Sequence, residues 1–197
     1  MFWFTNEWYI FPGVIDKTTC DRIIKQGEGQ FSPASVASES PQFDPDYRTS
    51  DVAWTREQWV YDLIWPYMIE ANQNTGWNLE IHIAEDMQIT RYKKDGFYAW
   101  HRDGLSDNSP VALYDRPGEQ IHGKARKMSM SLILNDDFEG GDFEFATYDH
   151  EKCTITPIKA KRGDMIFFTS GKEHRITPVT KGTRYSLVSW FLGPPIR

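Results

Sequence analysis

Residues 126–145 read RKMSMSLILNDDFEGGDFEF, and the period of this stretch decides the fold. Met128, Met130, Leu132 and Leu134 alternate with Ser129, Ser131 and Ile133, the two-residue repeat of a strand with unlike faces. Residues 135–142 (NDDFEGGD) are dense in turn formers, and Phe143 and Phe145 then flank Glu144 as the next strand. The same alternation appears upstream, where Met87, Ile89 and Arg91 interleave with Gln88, Thr90 and Tyr92. Downstream, strand-like runs at 154–158, 165–169, 175–179 and 185–192 are separated by KRGD (161–164) and by Lys181–Gly182. Seven or eight short strands at this spacing predict a sandwich or jelly roll.

The first half reads as partly helical. Asp16 is placed to cap a short helix with Cys20, Ile23 and Ile24 on one face, ending near Gly27 and Gly29. Thr55 and Gln58 fit a capping box before a second helix, along which Trp59, Leu63, Tyr67 and Ala71 recur at helical spacing. Pro66 inside that pattern predicts a kink or break. Residues 31–47, rich in Ser and Pro, and the polar residues 105–124 read as long surface loops. With no internal repeat, residues 1–197 are expected to form one domain: about 1–85 supporting helices and loops, about 86–194 a β core.

Hydrophobic content of 40% with 25% charged residues predicts a folded globular chain. A net charge of -6 argues against a nucleic-acid partner, while a basic protein substrate remains permitted. Cys20 and Cys153 are far apart and indicate neither a disulfide framework nor a Cys-based zinc site. Residues 1–11 lack the basic start and small-residue cleavage site of a signal peptide, and no apolar run approaches membrane-spanning length. A reduced, cytoplasmic protein with no membrane partner is the expectation. Its oligomeric state is not legible.

Of the five histidines, His82, His101, His122, His150 and His174, only His101 has a carboxylate two positions on, Asp103. If both lie in a strand they share one face, about 6.6–7 Å apart along the chain. His174 follows the Gly171–Lys172 turn and opens a later strand run. Two imidazoles and one carboxylate with open positions opposite form the facial triad suited to Fe(II) and O₂ chemistry. His-x-Asp alone is a weak signal. Arg184, ten residues after His174, adds a rigid fork that can bind a carboxylate. Its other reading is an exposed residue flanking the Lys181–Gly182 turn. The acidic residues Asp136, Asp137, Glu139 and Asp142 do not have EF-hand spacing and read as a solvated turn.

Three stretches resemble the prolyl 4-hydroxylase-type branch of the 2-oxoglutarate and Fe(II)-dependent dioxygenases. They are QITRYKKDGFYAWHRDG (88–104), RKMSMSLILNDDFEGGDFEF (126–145) and RGDMIFFTSGKEHRITPVTKGTRYSLVSWFLGP (162–194). The resemblance implies a double-stranded β-helix, a cupin-like jelly roll, braced by N-terminal helices. By position, His101, Asp103 and His174 match the family's iron ligands and catalytic centre. Arg184 matches the residue that pairs with the distal carboxylate of 2-oxoglutarate, Tyr92 a tyrosine bonded to the same carboxylate, and Ser186 a further partner. Tyr98 and Trp190 match aromatic positions bordering the substrate, although plain core packing accounts for them equally well.

Some collagen-type members use Lys where this chain has Arg184, so the resemblance favours a small bacterial- or phage-like hydroxylase. The implied cofactors are Fe(II), 2-oxoglutarate as co-substrate, O₂ and ascorbate. The implied reaction hydroxylates an unactivated C–H bond and releases succinate and CO₂. Related halogenases lack the carboxylate of Asp103, and its presence favours hydroxylation. The target expected from the match is a prolyl residue in a protein or peptide. A free amino acid or other small molecule is the alternative. A non-catalytic cupin-like binder or a zinc hydrolase is the third reading, and Arg184 and Tyr92 argue against it. The RTS stretch at 48–50 also resembles one found in prolyl hydroxylases, with no chemical role assigned.

Overall fold

The structure, a computed structural model, describes residues 6–34, 44–104, 114, 116–149 and 152–195. The centre of the expected 31–47 loop, residues 105–113 and 115 of the expected 105–124 loop, and His150 lie outside the described residues. The described elements run β1 (Trp8–Phe11), α1 (Lys17–Gly27), β2 (Ser32–Pro33), β3 (Arg48–Thr49), β4 (Asp51–Thr55) and α2 (Gln58–Asn74). Then follow β5 (Ile83–Ala84), β6 (Met87–Tyr92), β7 (Phe97–His101), β8 (Ala125–Ile133), β9 (Phe138–Gly140) and β10 (Phe143–Asp149). Last come β11 (Lys152–Ile158), β12 (Met165–Thr169), β13 (His174–Ile176), β14 (Val179–Gly182) and β15 (Arg184–Gly193).

These strands make an eight-stranded sheet in the order β1-β12-β8-β15-β6-β4-β2, with β5 on β15, and a five-stranded sheet β11-β10-β13-β7-β3. β14 and β9 pair as a separate two-stranded ribbon. The pairs are antiparallel, so each strand divides its side chains between two faces. On β12, Met165 and Phe167 join the core beneath the helices. Ile166 and Phe168 join a second core with Tyr92, Phe143, Phe145 and Ile176, between the two sheets. This gives the expected mainly-β sandwich of facing sheets, and the inter-sheet space is where a site can be dry.

Asp16 caps α1 as its sequence predicts, its Oδ1 accepting from the Thr19 N–H at 3.0 Å. Cys20 and Ile23 are fully buried on the expected face. The expected capping box at α2 does not form. Thr55 ends β4, and Glu57 takes the cap position without a side-chain bond. Thr55 instead donates to Gln26 Oε1 and receives the Glu57 N–H. The buried face of α2 is Val60, Ile64, Met68 and Ala71, while Trp59, Leu63 and Tyr67 pack half-buried along its flank. Large aromatic rings cover a core edge without fitting into it. Nor does Pro66 break the helix, which runs through it. Pro66 and Asp62 face solvent, so water replaces the backbone bond that the proline removes.

Residues 6–55 do more than brace the core. β1, β2 and β4 extend the larger sheet, and β3 extends the smaller one. Their pairing fills sheet edges that would otherwise leave backbone groups open. Among the described residues, no helix is long and apolar enough to cross a membrane.

Candidate active site

His101 and His174 face each other as a cross-strand pair of β7 and β13. Their rings lie 4.1 Å apart between centroids. The spacing of His101 and Asp103 predicts one shared strand face if both lie in a strand. The structure corrects this, because β7 ends at His101 and Asp103 sits in the following bend. That bend is fixed from across the sheet, where the N–H groups of Asp103 and Gly104 both donate to the Ser170 carbonyl at 3.0 and 3.1 Å. Asp103 Oδ1 then stands 3.8 Å from His101 Nε2, and Oδ2 stands 3.7 Å from His174 Nε2. One ligand atom from each of the three lies within 4.8 Å of the other two.

The supporting bonds leave these donor atoms free for a cation. His101 Nδ1 bonds the Ala99 carbonyl at 2.8 Å, and His174 Nδ1 bonds the Lys172 carbonyl at 2.9 Å. With Nδ1 as the donor, each Nε2 presents a lone pair toward Asp103. Tyr98 stacks on His101 at 3.5 Å, and Phe143 stacks on His174 at 5.4 Å. Burial, with His174 alongside, pushes the His101 imidazole down to about 3, so it stays neutral. Burial works to raise the Asp103 pKa, but His174 and His101 outweigh it and hold the carboxyl below its usual range. A neutral His101 imidazole beside an ionised Asp103 is the state in which both can serve as metal ligands. Ligands at about 2.0–2.2 Å from a shared ion bring donor atoms to the separations seen here. The donor set therefore fits a divalent metal of the facial-triad kind.

Gly104 permits this bend. A Cβ there would come within 2.7 Å of the Arg126 carbonyl oxygen and 2.8 Å of Ser170 Cβ. Gly104→Ala is expected to displace Asp103 and weaken Fe(II) binding roughly ten- to a hundredfold, the scale of disturbing a ligand's support. Anaerobic metal titration, with far-UV circular dichroism to check the fold, reads this. Wild-type affinity in the variant would show that the close approach is unimportant.

The cluster opens on a cavity of about 1240 Å³. Tyr92, Ser131, Phe143, Phe168, Ile176 and Ser186 line it together with the cluster. Arg184 sits directly behind, 1% exposed, its Nη1 donating to Ser186 Oγ at 3.1 Å. Its Cα is opposite that of Tyr92, whose ring centroid lies 5.6 Å from its Cζ. Arg184 makes no ion pair among the described residues, and burial lowers its pKa. A buried guanidinium without a carboxylate is costly, and the reading of Arg184 as an exposed turn residue is excluded. Its surroundings fit an acidic ligand arriving from the cavity.

Toward the mouth, Trp190 is buried with its Nε1 unpartnered, and the Arg126 guanidinium covers its ring at 4.0 Å. Tyr98 and Trp190 thus both border the cavity, one on the metal cluster and one above it. Arg126 also bonds both carboxylate oxygens of Glu85 and reaches the Asp103 carbonyl at 3.3 Å. Burial opposes its charge, but the Glu85 bonds outweigh burial and raise its pKa. Tyr114 donates to Glu85 Oε1 at 2.7 Å, and burial pushes its hydroxyl up to about 12. Arg48, from the RTS stretch, is buried against the Tyr98 ring at 4.5 Å and donates to Ser50 Oγ. Sequence reasoning gave Glu85, Tyr114 and Arg126 no role. They meet across 29 and 41 residues of chain, and no local spacing announces that.

Residues 87–192 match the model of a family described as the 2OG-Fe(II) oxygenase superfamily. The chain is 45% identical over 73 residues to Prolyl 3-hydroxylase 2 of Homo sapiens, a match covering 36% of this chain and 10% of that protein. It is 34% identical over 107 residues to a PKHD-type hydroxylase of Xylella fastidiosa, covering 52% of this chain and 42% of that one. The match thus spans a tenth of the human relative and less than half of the bacterial one. A solved prolyl hydroxylase from Trichoplax adhaerens, in complex with a hypoxia inducible factor oxygen degradation domain peptide fragment, superposes with a TM-score of 0.71. That likeness covers 95% of this chain and 84% of that one at 17% identity, and it extends the shared double-stranded β-helix fold to nearly the whole chain.

Proposed function

Because the chain belongs to the 2OG-Fe(II) oxygenase superfamily, we propose that it is a 2-oxoglutarate-dependent dioxygenase that hydroxylates a prolyl residue of a protein or peptide. The observation that carries the reading is one cavity with two chemical ends. At one end His101, Asp103 and His174 converge. At the other, Ser186 and Tyr92 front the buried, unpaired Arg184. A dicarboxylate co-substrate needs both a metal at one end and a cation at the other, and a plain metal site needs only the first.

Bound Fe(II), with 2-oxoglutarate and O₂, supplies the oxidation of an unactivated C–H bond, and succinate and CO₂ leave. The chain supplies position. His101, Asp103 and His174 would hold the metal from one side, leaving the cavity side open. Arg184, Tyr92 and Ser186 would fix the distal carboxylate and so the orientation of the co-substrate. Phe143, Phe168 and Ile176 wall off water between these ends. Tyr98 and Trp190 would border the substrate ring, and Arg126 and Glu85 hold Trp190 in place.

The prolyl target is supported by the names of the relatives and by a mouth flanked by exposed Trp54 and buried Trp190, their rings 6.3 Å apart. Proline suits a rigid aromatic mouth because its fixed φ lowers the ordering cost of the bound chain. Fragment-ion mass spectrometry of proline peptides treated with enzyme, Fe(II), 2-oxoglutarate and ascorbate in air tests the reading. An added oxygen on proline is expected. Trp190→Ala is expected to cut peptide hydroxylation at least about tenfold, on the scale of a lost aromatic anchor. It should cut substrate-free 2-oxoglutarate decarboxylation much less. Oxidation of free amino acids with no peptide oxidised replaces the peptide reading with the small-molecule one.

A further inference from the structure

The cavity over the metal cluster does not end at Trp190. A second concavity of about 580 Å³ adjoins it, and Arg56, Ile83, Ala84 and Asp86 line both. The far wall of this annex is α2, which presents the half-buried rings of Tyr61 and Trp65 together with Gln58 and Asp62. Trp54 lines the first cavity, two residues before the shared Arg56, and is 48% exposed although its ring is large and apolar.

The charges of the annex do not cancel. Arg56 is engaged by Asp86 at 2.6 Å. Asp62 accepts one bond, from the Gln58 amide at 2.9 Å, and pairs with no cation among the described residues. One uncompensated carboxylate thus lies beside two aromatic rings. An ammonium or guanidinium gains from both, through a charged hydrogen bond and through the ring quadrupole. An anionic or purely apolar side chain gains less.

We infer that this annex is a specificity subsite for a Lys or Arg side chain that flanks the target residue in an extended peptide. The inference rests on the oxygenase reading above and adds the chemical class of the peptide. Continuity of the two concavities places the occupant on the same chain as the residue at the metal. A chain advancing about 3.3 Å per residue reaches from one to the other within a few positions. The first cavity alone exceeds the roughly 300–1,000 Å³ that encloses a drug-sized ligand, so a free amino acid beside 2-oxoglutarate would leave most of the cleft unused. The net charge of -6 adds a long-range attraction for a basic peptide.

The test uses one proline peptide made with Lys, norleucine or Glu at each of about four positions on either side of the proline. At one flanking position, Lys is expected to lower the peptide KM about two- to fivefold against norleucine, and Glu to raise it. The KM for 2-oxoglutarate should not follow the peptide series. Asp62→Asn should erase the Lys preference and Asp62→Lys should turn it toward Glu. Asp62 is exposed on α2, so both variants keep the helix. Equal KM values across the three peptides, or a Lys preference that survives Asp62→Lys, would overturn the subsite while leaving the oxygenase reading intact. If no peptide is hydroxylated while a free amino acid is, the subsite and the peptide reading fall together.

Discussion

Asp103→Ala is expected to abolish stoichiometric Fe(II) binding and, with it, turnover, and His101→Ala and His174→Ala are expected to do the same. The three side chains are each about nine-tenths or more buried and are packed against protein on every side but the cavity, so no other side chain among the described residues stands ready to replace a lost ligand. Asp103 carries the largest share. It is the one carboxylate of the cluster, and without it a divalent cation is left with two imidazoles and the field of Arg126. Disturbing an outer partner of a metal site already costs about 10–100-fold in affinity, and removing a ligand costs more. Asp103→Asn keeps the volume and separates charge from packing. Anaerobic calorimetric titration with Fe(II), run beside far-UV circular dichroism, is the measurement. Wild-type affinity and turnover in all three alanine variants would sink the triad.

The parts of this fold that are legible in the sequence are those whose two faces differ. β8 buries Met128, Met130 and Leu132 against the helices and turns Ser129 and Ser131 the other way, and that alternation survives in the chain, while β12 packs apolar side chains into both cores and is legible only as a short apolar run between turns. β7 (FYAWH) has no such contrast, since none of its five residues is fully exposed or fully buried. It carries His101, yet no period marks it as a strand. β4 lies hidden for a related reason, since its DVAWT sequence keeps Trp54 exposed beside buried neighbours. The triad was readable because three residue types of narrow chemical use fell at matching places. A shared strand face does not bring them together: Asp103 is aimed by Ser170, far away in sequence, through a backbone bond. Bonds of that kind leave no mark in composition or period. The same holds for Arg126, whose pairing with Glu85 is visible only once β8 and the turn before β6 are brought together.

Arg184→Ala is expected to raise the KM for 2-oxoglutarate by roughly 30- to 5,000-fold, the equivalent of about 2–5 kcal/mol for a truncated buried charge partner. Arg184→Lys should recover part of this, since the charge remains but the planar fork is lost. Tyr92→Phe should show a smaller effect of the same kind. A structural role for Arg184 makes the opposite forecast for stability. If the guanidinium served mainly to hold β15 in place, its removal would destabilise the protein with or without ligand. Among the described residues Arg184 has no acidic partner to strand, and it donates to the neutral Ser186 hydroxyl. Taking the charge out therefore relieves a desolvation cost without exposing another. Arg184→Met should leave the denaturation midpoint of the 2-oxoglutarate-free protein unchanged or raised, while the stabilisation that 2-oxoglutarate confers on the wild type disappears. Chemical denaturation with and without the co-substrate, under anaerobic Fe(II), separates the two roles. A large loss of stability in the absence of 2-oxoglutarate, with co-substrate dependence unchanged, would make Arg184 a fold residue and leave the dicarboxylate without its anchor.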